Sequence, residues 1–408
     1  MNREMAMLKL TKYGQEHVFG YFDALGISEQ TALLEQIEAT DFEIIDNSIS
    51  NQTDALRGVI SPISVMETDE ISENEKEFSE EGLKALSEGK VAAVLLAGGM
   101  GTRLGSDKPK GMYDIGKTRP VYIFQRLFEN LMEVTGKLND CIHLFVMTSE
   151  KNNDDTISFI KEHNFFGYPE EKVHFFKQEM AAATDYQGKV YMESKSRIAT
   201  SPNGNGGWYL SLKKAGLDKV LYDNNIEWLN VFAVDNVLQK IADPVFIGAT
   251  ISNKCVCGAK VIRKADKNEK VGVLCLEDGH PSIIEYYELT DDMKDAVNEK
   301  GEPAYNFGVI LNYLFGVAAL DDIVSKQLTL HVVEKKIPYI DEEGQLISPV
   351  EPNGYKYETL ILDMIKLLEN CLAYEVVREK EFAPIKNLTG VDSVESARAL
   401  LELNGINL

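Results

Sequence analysis

The chain has 408 residues, 44% hydrophobic and 26% charged, enough apolar material for one large core or two. A formal charge of −23 sets it against phosphate backbones and anionic lipid, which excludes nucleic-acid binders, and five scattered cysteines (Cys141, Cys255, Cys257, Cys275, Cys371) form no disulfide framework. No apolar stretch approaches the roughly eighteen residues of a membrane helix, and Met1–Leu10, with Arg3, Glu4 and Lys9, has no apolar leader core, so a cytoplasmic protein is expected.

Residues 1–90 hold 7 basic and 19 acidic side chains and read as a separate module. Leu33, Leu34 and Ile37 recur at helical spacing and predict short amphipathic helices, while the acidic stretch Glu67 to Glu81 reads as a solvated connection. From Lys90 the texture changes to short apolar runs broken by helical patterns: Val91 to Ala97, Ile142 to Thr148, Val173 to Phe176 and Asn230 to Val234. That alternation predicts an α/β domain on a largely parallel sheet, with ligands at the carboxyl ends of the strands. Further strands are expected at Ala259 to Arg263, Val271 to Leu276 and Ser282 to Tyr287, then an apolar helical run from Leu360 to Tyr374.

The sharpest motif closes the first strand: Leu95-Leu96-Ala97-Gly98-Gly99-Met100-Gly101-Thr102-Arg103-Leu104-Gly105. Glycines without side chains let backbone N–H groups approach an anion, and Arg103, Lys108 and Lys110 gather three cations within eight residues of an acidic chain. A polyanionic ligand is implied, against the alternative of an ordinary glycine-rich turn. The glycine spacing departs from the dinucleotide fingerprint. Gly111 to Thr118 does match the P-loop pattern, but Ser106-Asp107-Lys108-Pro109-Lys110 before it cannot be a buried strand, so the match is fortuitous. Asp235, ending the run Asn230 to Val234, either holds Mg2+ or caps a helix over Asn236 to Ile241. Ser201 to Tyr209, rich in Asn and Gly, is either a sugar- or base-reading loop or a surface turn.

Taken in order, these segments resemble the UDP-sugar pyrophosphorylase family, most closely its UDP-N-acetylhexosamine branch. The resemblance runs from about residue 80 to 390 through Leu95 to Gly105, Pro109 to Asp114, Phe175 to Gln178, Gly204 to Gly207 and Val234 to Asn236, then Cys257 to Lys260, Ile284 to Tyr286, Lys335 to Tyr339, Pro352 to Gly354 and Phe382 to Asn387. It implies an α/β, three-layer α/β/α nucleotide-diphospho-sugar transferase with a Rossmann-like mixed sheet and smaller helical N-terminal and α+β C-terminal regions. The corresponding segments are 1–88, 89–330 as the catalytic domain, and 331–408, which supplies Lys356 and Lys386. It also implies a uridylyltransferase that combines UTP with N-acetylglucosamine 1-phosphate, or N-acetylgalactosamine 1-phosphate, giving the UDP-sugar and pyrophosphate, with Mg2+ as cofactor and neither nucleic acid nor membrane as partner.

By the same resemblance, Leu96, Ala97, Gly98 and Gly99 line the uridine and ribose pocket, and Gly101, Thr102 and Arg103 take the phosphates. Lys110 neutralises charge near the α-phosphate; Gln178 and Gly204 read uracil; Asn205 faces base and sugar; Asp235 holds the metal. Glu285, Tyr286 and Asn306 stand at the sugar, and Lys356 and Lys386 at the phosphates, so that Arg103, Lys110 and Lys386 form the catalytic set. Two positions depart from the branch: Val309 stands where a sugar-facing Asn is expected, and Glu179 follows Gln178 where Gly is usual. Loss of an amide at the sugar points to the alternative of a glucose 1-phosphate enzyme; an alternative of a different class is a catalytically silent nucleotide-sugar binding protein, against which the presence of Arg103, Lys110, Asp235 and Lys386 argues.

Overall fold

The computed structural model describes residues 1–43, 45–46, 57–138, 140–326 and 328–408. They form two compact units, Met1–Leu56 with Glu179–Gly207 and Leu328–Ile361, and Arg57–Gln178 with Trp208–Gln327 and Leu362–Leu408. These boundaries differ from the three consecutive segments expected: residues 57–88 belong with the sheet, and residues 331–408 are divided near position 361.

The larger unit is built on β1 (Ile60–Pro62), β2 (Val65–Met66), β3 (Val91–Leu96), β4 (Leu144–Thr148), β5 (Val173–Lys177), β6 (Trp228–Ala233), β7 (Cys257–Arg263), β8 (Val273–Glu277), β9 (His280–Ile284), β10 (Phe307–Gly316) and β11 (Leu372–Glu375). The sheet order is β2-β11-β7-β10-β6-β3-β4-β5, with β1, β8 and β9 joined through β8 to β10. Every pairing along the main order is parallel except those of β10, antiparallel to both β6 and β7. The sheet is thus mixed, as expected of this fold. Every residue of β3 is buried, which is why Val91 to Leu96 reads as an unbroken apolar run rather than an alternating one. The helix Ile123–Thr135 covers it with Phe124, Leu127, Phe128 and Leu131, each worth about 1.5–3 kcal/mol of burial.

Two sequence expectations fail here. Thr68–Ser87, expected largely as solvated connection, is a 20-residue helix that buries Phe78, Gly82, Ala85 and Leu86 at helical spacing. It crosses the helix Pro244–Ser252 at two glycines: a Cβ on Gly82 would lie 1.9 Å from the Pro244 carbonyl oxygen, and one on Gly248 1.7 Å from that of Phe78. The run Leu360 to Tyr374 is helical only over Ile361–Ile365; its end is β11, in the sheet between β2 and β7.

The smaller unit carries the expected amphipathic helix, Ile27–Ala39, with Leu33 and Ile37 fully buried. These pack with Leu10 and Phe22 into one core that also takes Ala182, Val190, Ile198 and Tyr357. Its strand pairs are short: Met180–Ala182 with Thr200–Pro202, and His331–Lys335 with Gly354–Glu358. Among the described residues no helix is long and apolar enough to cross a membrane.

Candidate active site

The glycine segment leaves β3 at its carboxyl end and folds back on itself: the Gly101 N–H donates to the Lys108 carbonyl at 2.8 Å, and the Lys110 N–H to that of Gly99 at 3.1 Å. The turn is completed by Gly105 at φ +71°, a conformation that favours glycine. This closure brings Lys110 to the mouth of the loop. Among the described residues the Gly98 and Gly99 N–H groups donate to no protein acceptor, as an anion-receiving loop requires. The P-loop look-alike serves packing instead. It follows no strand, and a Cβ on Gly111 would meet the Phe124 ring at 2.2 Å.

Gln178, at the end of β5 and 8% exposed, lies against the loop: a Cβ on Gly98 would come 2.4 Å from its Nε2. The backbone N–H of Gln178 is fixed to the Thr148 carbonyl at 2.8 Å. Gly98 and Gln178 therefore share one pocket wall, with Leu96 and Ala97 buried behind it.

Asp235 follows β6, parallel neighbour of β3, at the same sheet edge. It caps no helix. The segment Asn236 to Ile241 is non-helical, and the next helix, Pro244–Ser252, is capped by Asp243, whose carboxylate accepts from the Val245 N–H. The segment 381–386 is stitched to this strand end. Asn236 Nδ2 donates to the Glu381 carbonyl at 2.7 Å, Asn236 Oδ1 accepts from the Ala383 N–H at 2.9 Å, and the Asp235 carbonyl accepts from the Ile385 N–H at 2.9 Å. Lys386 is thereby delivered beside Asp235, its Nζ held by Asp392 at 2.9 Å.

The four charged groups act on one another. Burial pushes the Lys110 ammonium below its ordinary value, Arg103 and Lys386 add to that depression, and Asp235 opposes it. Arg103, Lys386 and Asp235 thus all lie within electrostatic reach of Lys110, at the carboxyl edge of parallel strands where such sheets bind ligands. Arg103 and Thr102 are exposed. Among the described residues no three His, Cys, Asp or Glu side chains cluster as a metal cage. A lone Asp235 still fits Mg2+, which takes one or two carboxylates and completes its shell with phosphate oxygens and water.

The expected sugar residues of this unit lie around β9 and β10. Glu285 follows β9, and an ideal Cβ on Gly272 would find Val309 Cγ2 at 3.6 Å and Glu285 Oε1 at 3.7 Å, so these two side chains are neighbours. Tyr286 is exposed against Tyr287, and Asn306 precedes β10, its carbonyl accepting from the Lys264 N–H at 2.8 Å. Gly204, Asn205 and Lys356 belong to the smaller unit. Gly204, at φ +87°, packs on Thr359, whose carbonyl oxygen would be 2.1 Å from a Cβ there, and Asn205 Oδ1 accepts from the Ile361 N–H at 2.9 Å. Lys356 lies opposite Val333 in the Gly354–Glu358 strand.

One supporting residue escaped the sequence. Asn152, fully buried, donates from Nδ2 to the carbonyls of Ala97 (2.8 Å) and Gly99 (3.3 Å), while Oδ1 accepts from the Ser149 N–H at 2.7 Å. It clamps both shoulders of the glycine loop from 55 positions away, and only the polarity of Asn152-Asn153 hinted at it.

A mixed α/β sheet with a glycine loop, clustered cations and one carboxylate at the parallel carboxyl edge defines a nucleotide-binding transferase site. Over residues 41–406 the chain matches the family described as UTP–glucose-1-phosphate uridylyltransferase, and it belongs to that family. It is 35% identical over 405 residues to mouse UDP-N-acetylhexosamine pyrophosphorylase-like protein 1, covering 93% of this chain and 79% of the relative. It is 34% identical over 414 residues to UDP-N-acetylglucosamine pyrophosphorylase of Saccharomyces cerevisiae, covering 94% and 86%. The crystal structure of uridine diphosphate N-acetylglucosamine pyrophosphorylase from Trypanosoma brucei, solved with an inhibitor, superposes with a TM-score of 0.83 at 26% identity, covering 98% of this chain and 84% of that one.

Proposed function

We propose that the protein transfers the uridylyl group of UTP to N-acetylglucosamine 1-phosphate, with N-acetylgalactosamine 1-phosphate as a second acceptor, releasing pyrophosphate. The observation that carries this reading is the convergence of Arg103, Lys110 and Lys386 on Asp235 beside the glycine loop. A sugar phosphate oxygen attacks the α-phosphorus, one P–O bond forms, and the bond to the leaving β-phosphate breaks in line. The nucleophile is already ionised near neutral pH, so no side chain has to remove a proton, and catalysis consists of positioning and charge neutralisation. That suits a site without a nucleophile–base pair. Leu96 to Gly99 with Gln178 receive the uridine, Gly101, Thr102 and Arg103 bind the phosphates, and Lys110 and Lys386 stabilise charge around the α-phosphorus. Mg2+ at Asp235 would supply further neutralisation of the triphosphate. Glu285, Tyr286 and Asn306 supply the sugar contacts, and the reaction belongs to the cytoplasm.

Pyrophosphate release from UTP with Mg2+ and the 1-phosphates of N-acetylglucosamine, N-acetylgalactosamine, glucose and galactose tests this. Preference for an N-acetylated sugar is expected. One observation favours a second reading, glucose 1-phosphate as acceptor: Val309, an apolar side chain, stands next to Glu285 where the branch pattern has an amide. Val309→Asn is expected to shift the ratio of activities toward N-acetylated sugars by roughly tenfold, the worth of one buried amide hydrogen bond. An unchanged ratio removes position 309 from specificity.

A further inference from the structure

Beside the candidate site lies a buried charge cluster that the proposed chemistry leaves unused. Lys260, on β7, is fully buried, and its Nζ donates to Glu381 Oε2 at 2.6 Å, Asp243 Oδ2 at 3.0 Å and the Lys240 carbonyl at 3.3 Å. The same ammonium lies 5.4 Å from the Phe246 ring centroid. Both carboxylates are also buried, and Glu381 takes a second bond from the Lys240 N–H at 3.3 Å. Taking three ionised groups out of water is expensive, and apolar side chains of similar volume would fill such a space without that penalty. The cluster is better explained by what it joins. Asp243 closes the loop that opens at Asp235, and Glu381 opens the segment that ends at Lys386.

We propose that Lys260 is a positioning residue, gripping Asp243 on one side and Glu381 on the other so that Asp235 and Lys386 meet in a single register. The inference rests on the roles given above to Asp235 and Lys386. The hydrogen bonds from Asn236 Nδ2 to the Glu381 carbonyl, from the Ala383 N–H to Asn236 Oδ1 and from the Ile385 N–H to the Asp235 carbonyl lie between the two grips and complete the clasp. A catalytic group displaced by about 1 Å costs on the order of 100-fold in rate. A clasp that prevents such displacement is therefore worth its burial.

Glu381→Ala is the first test, because it releases the Lys386 segment and leaves Lys260 and Asp243 as a neutral buried pair. Lys260→Met releases both sides, and if it fails to fold, Glu381→Ala decides alone. The expected result is a fall in kcat of about 100-fold with the KM for UTP nearly unchanged, since the glycine loop is untouched. Combining Glu381→Ala with Lys386→Ala is expected to lose no more than Lys386→Ala alone, because one change acts through the other, whereas independent defects multiply. Amide exchange needs no turnover. The Ala383 and Ile385 N–H groups should exchange about tenfold faster or more in Glu381→Ala, while Val231 within β6 keeps its protection. Unchanged kcat in the folded variant, multiplicative loss in the double variant, or unchanged exchange at Ala383 and Ile385 each overturns the proposal. Wild-type protein that releases no pyrophosphate with any sugar phosphate counts against the proposed function instead, and the exchange result still decides whether the clasp exists.

Discussion

Asn152 shows how one amide disciplines a loop that has no side chains of its own. Asn152→Ala removes both bonds to the Ala97 and Gly99 carbonyls, a loss of about 1–3 kcal/mol, and leaves the glycine loop free to sample other conformations. The KM for UTP is expected to rise about tenfold; steady-state kinetics with unchanged KM would show that the loop holds itself. A second residue-scale prediction concerns pH. His174 on β5 faces His143, with a 2.9 Å contact between Nε2 and Nδ1, and stacks on Phe145, with Lys172 and Asp140 the charged groups nearby. Burial, then His143 and Lys172, push its proton affinity from 6.5 down to about 4. The unfolded chain therefore binds the proton more readily than the folded one between those values. The resulting stability is intact above about pH 6.5 and drains away as pH falls toward 4. Thermal unfolding across that window should show the loss, and His174→Gln should flatten it.

Among elements, the crossing of Thr68–Ser87 over Pro244–Ser252 depends on two missing side chains. Gly82→Ala puts a methyl 1.9 Å from the Pro244 carbonyl oxygen, backbone that cannot step aside without moving the helix. Overpacking of that kind costs about 1–3 kcal/mol, to be read from the urea midpoint; an unchanged midpoint would mean the helices have room to separate. The same crossing explains why the sequence misled. With glycine and alanine at its contact face and mostly charged or polar residues elsewhere, the helix offers only four large apolar side chains, Ile71, Phe78, Leu83 and Leu86, in twenty positions. The central strands were legible for the opposite reason: β3 and β4 are buried throughout, so nothing interrupts the apolar run. Leu360 to Tyr374 was ambiguous because a short apolar run cannot by itself distinguish buried helix from buried strand, and its far end pairs with β7, over a hundred residues earlier. The glycine loop with Arg103 and Lys110 stood out because cations are scarce in an acidic chain, whereas Asn152 and Lys260 stayed hidden because their partners are remote in sequence.

At the scale of the molecule, the division into units was not legible, since each is assembled from three separated stretches of chain. The smaller unit unites Leu10, Leu33 and Ile37 with Ile198 and Tyr357 in one core, so none of its stretches has a complete interior alone. Protein beginning at Arg57 is expected to lose that core while keeping the sheet unit. Limited proteolysis should then cut within 179–207 and 328–361 and spare the remainder; equal resistance of those stretches and the sheet would contradict the prediction. The interleaving also sets a timetable for synthesis. The helix Ile27–Ala39 leaves the ribosome early, but its partner Tyr357 follows more than three hundred residues later, an interval of roughly 15 to 70 s at 5–20 residues per second. Through that wait the apolar faces of the nascent segment are covered only in part, by its own Leu10 and Phe22, and the 19 acidic against 7 basic side chains of residues 1–90 keep it hydrated and repelled from its neighbours.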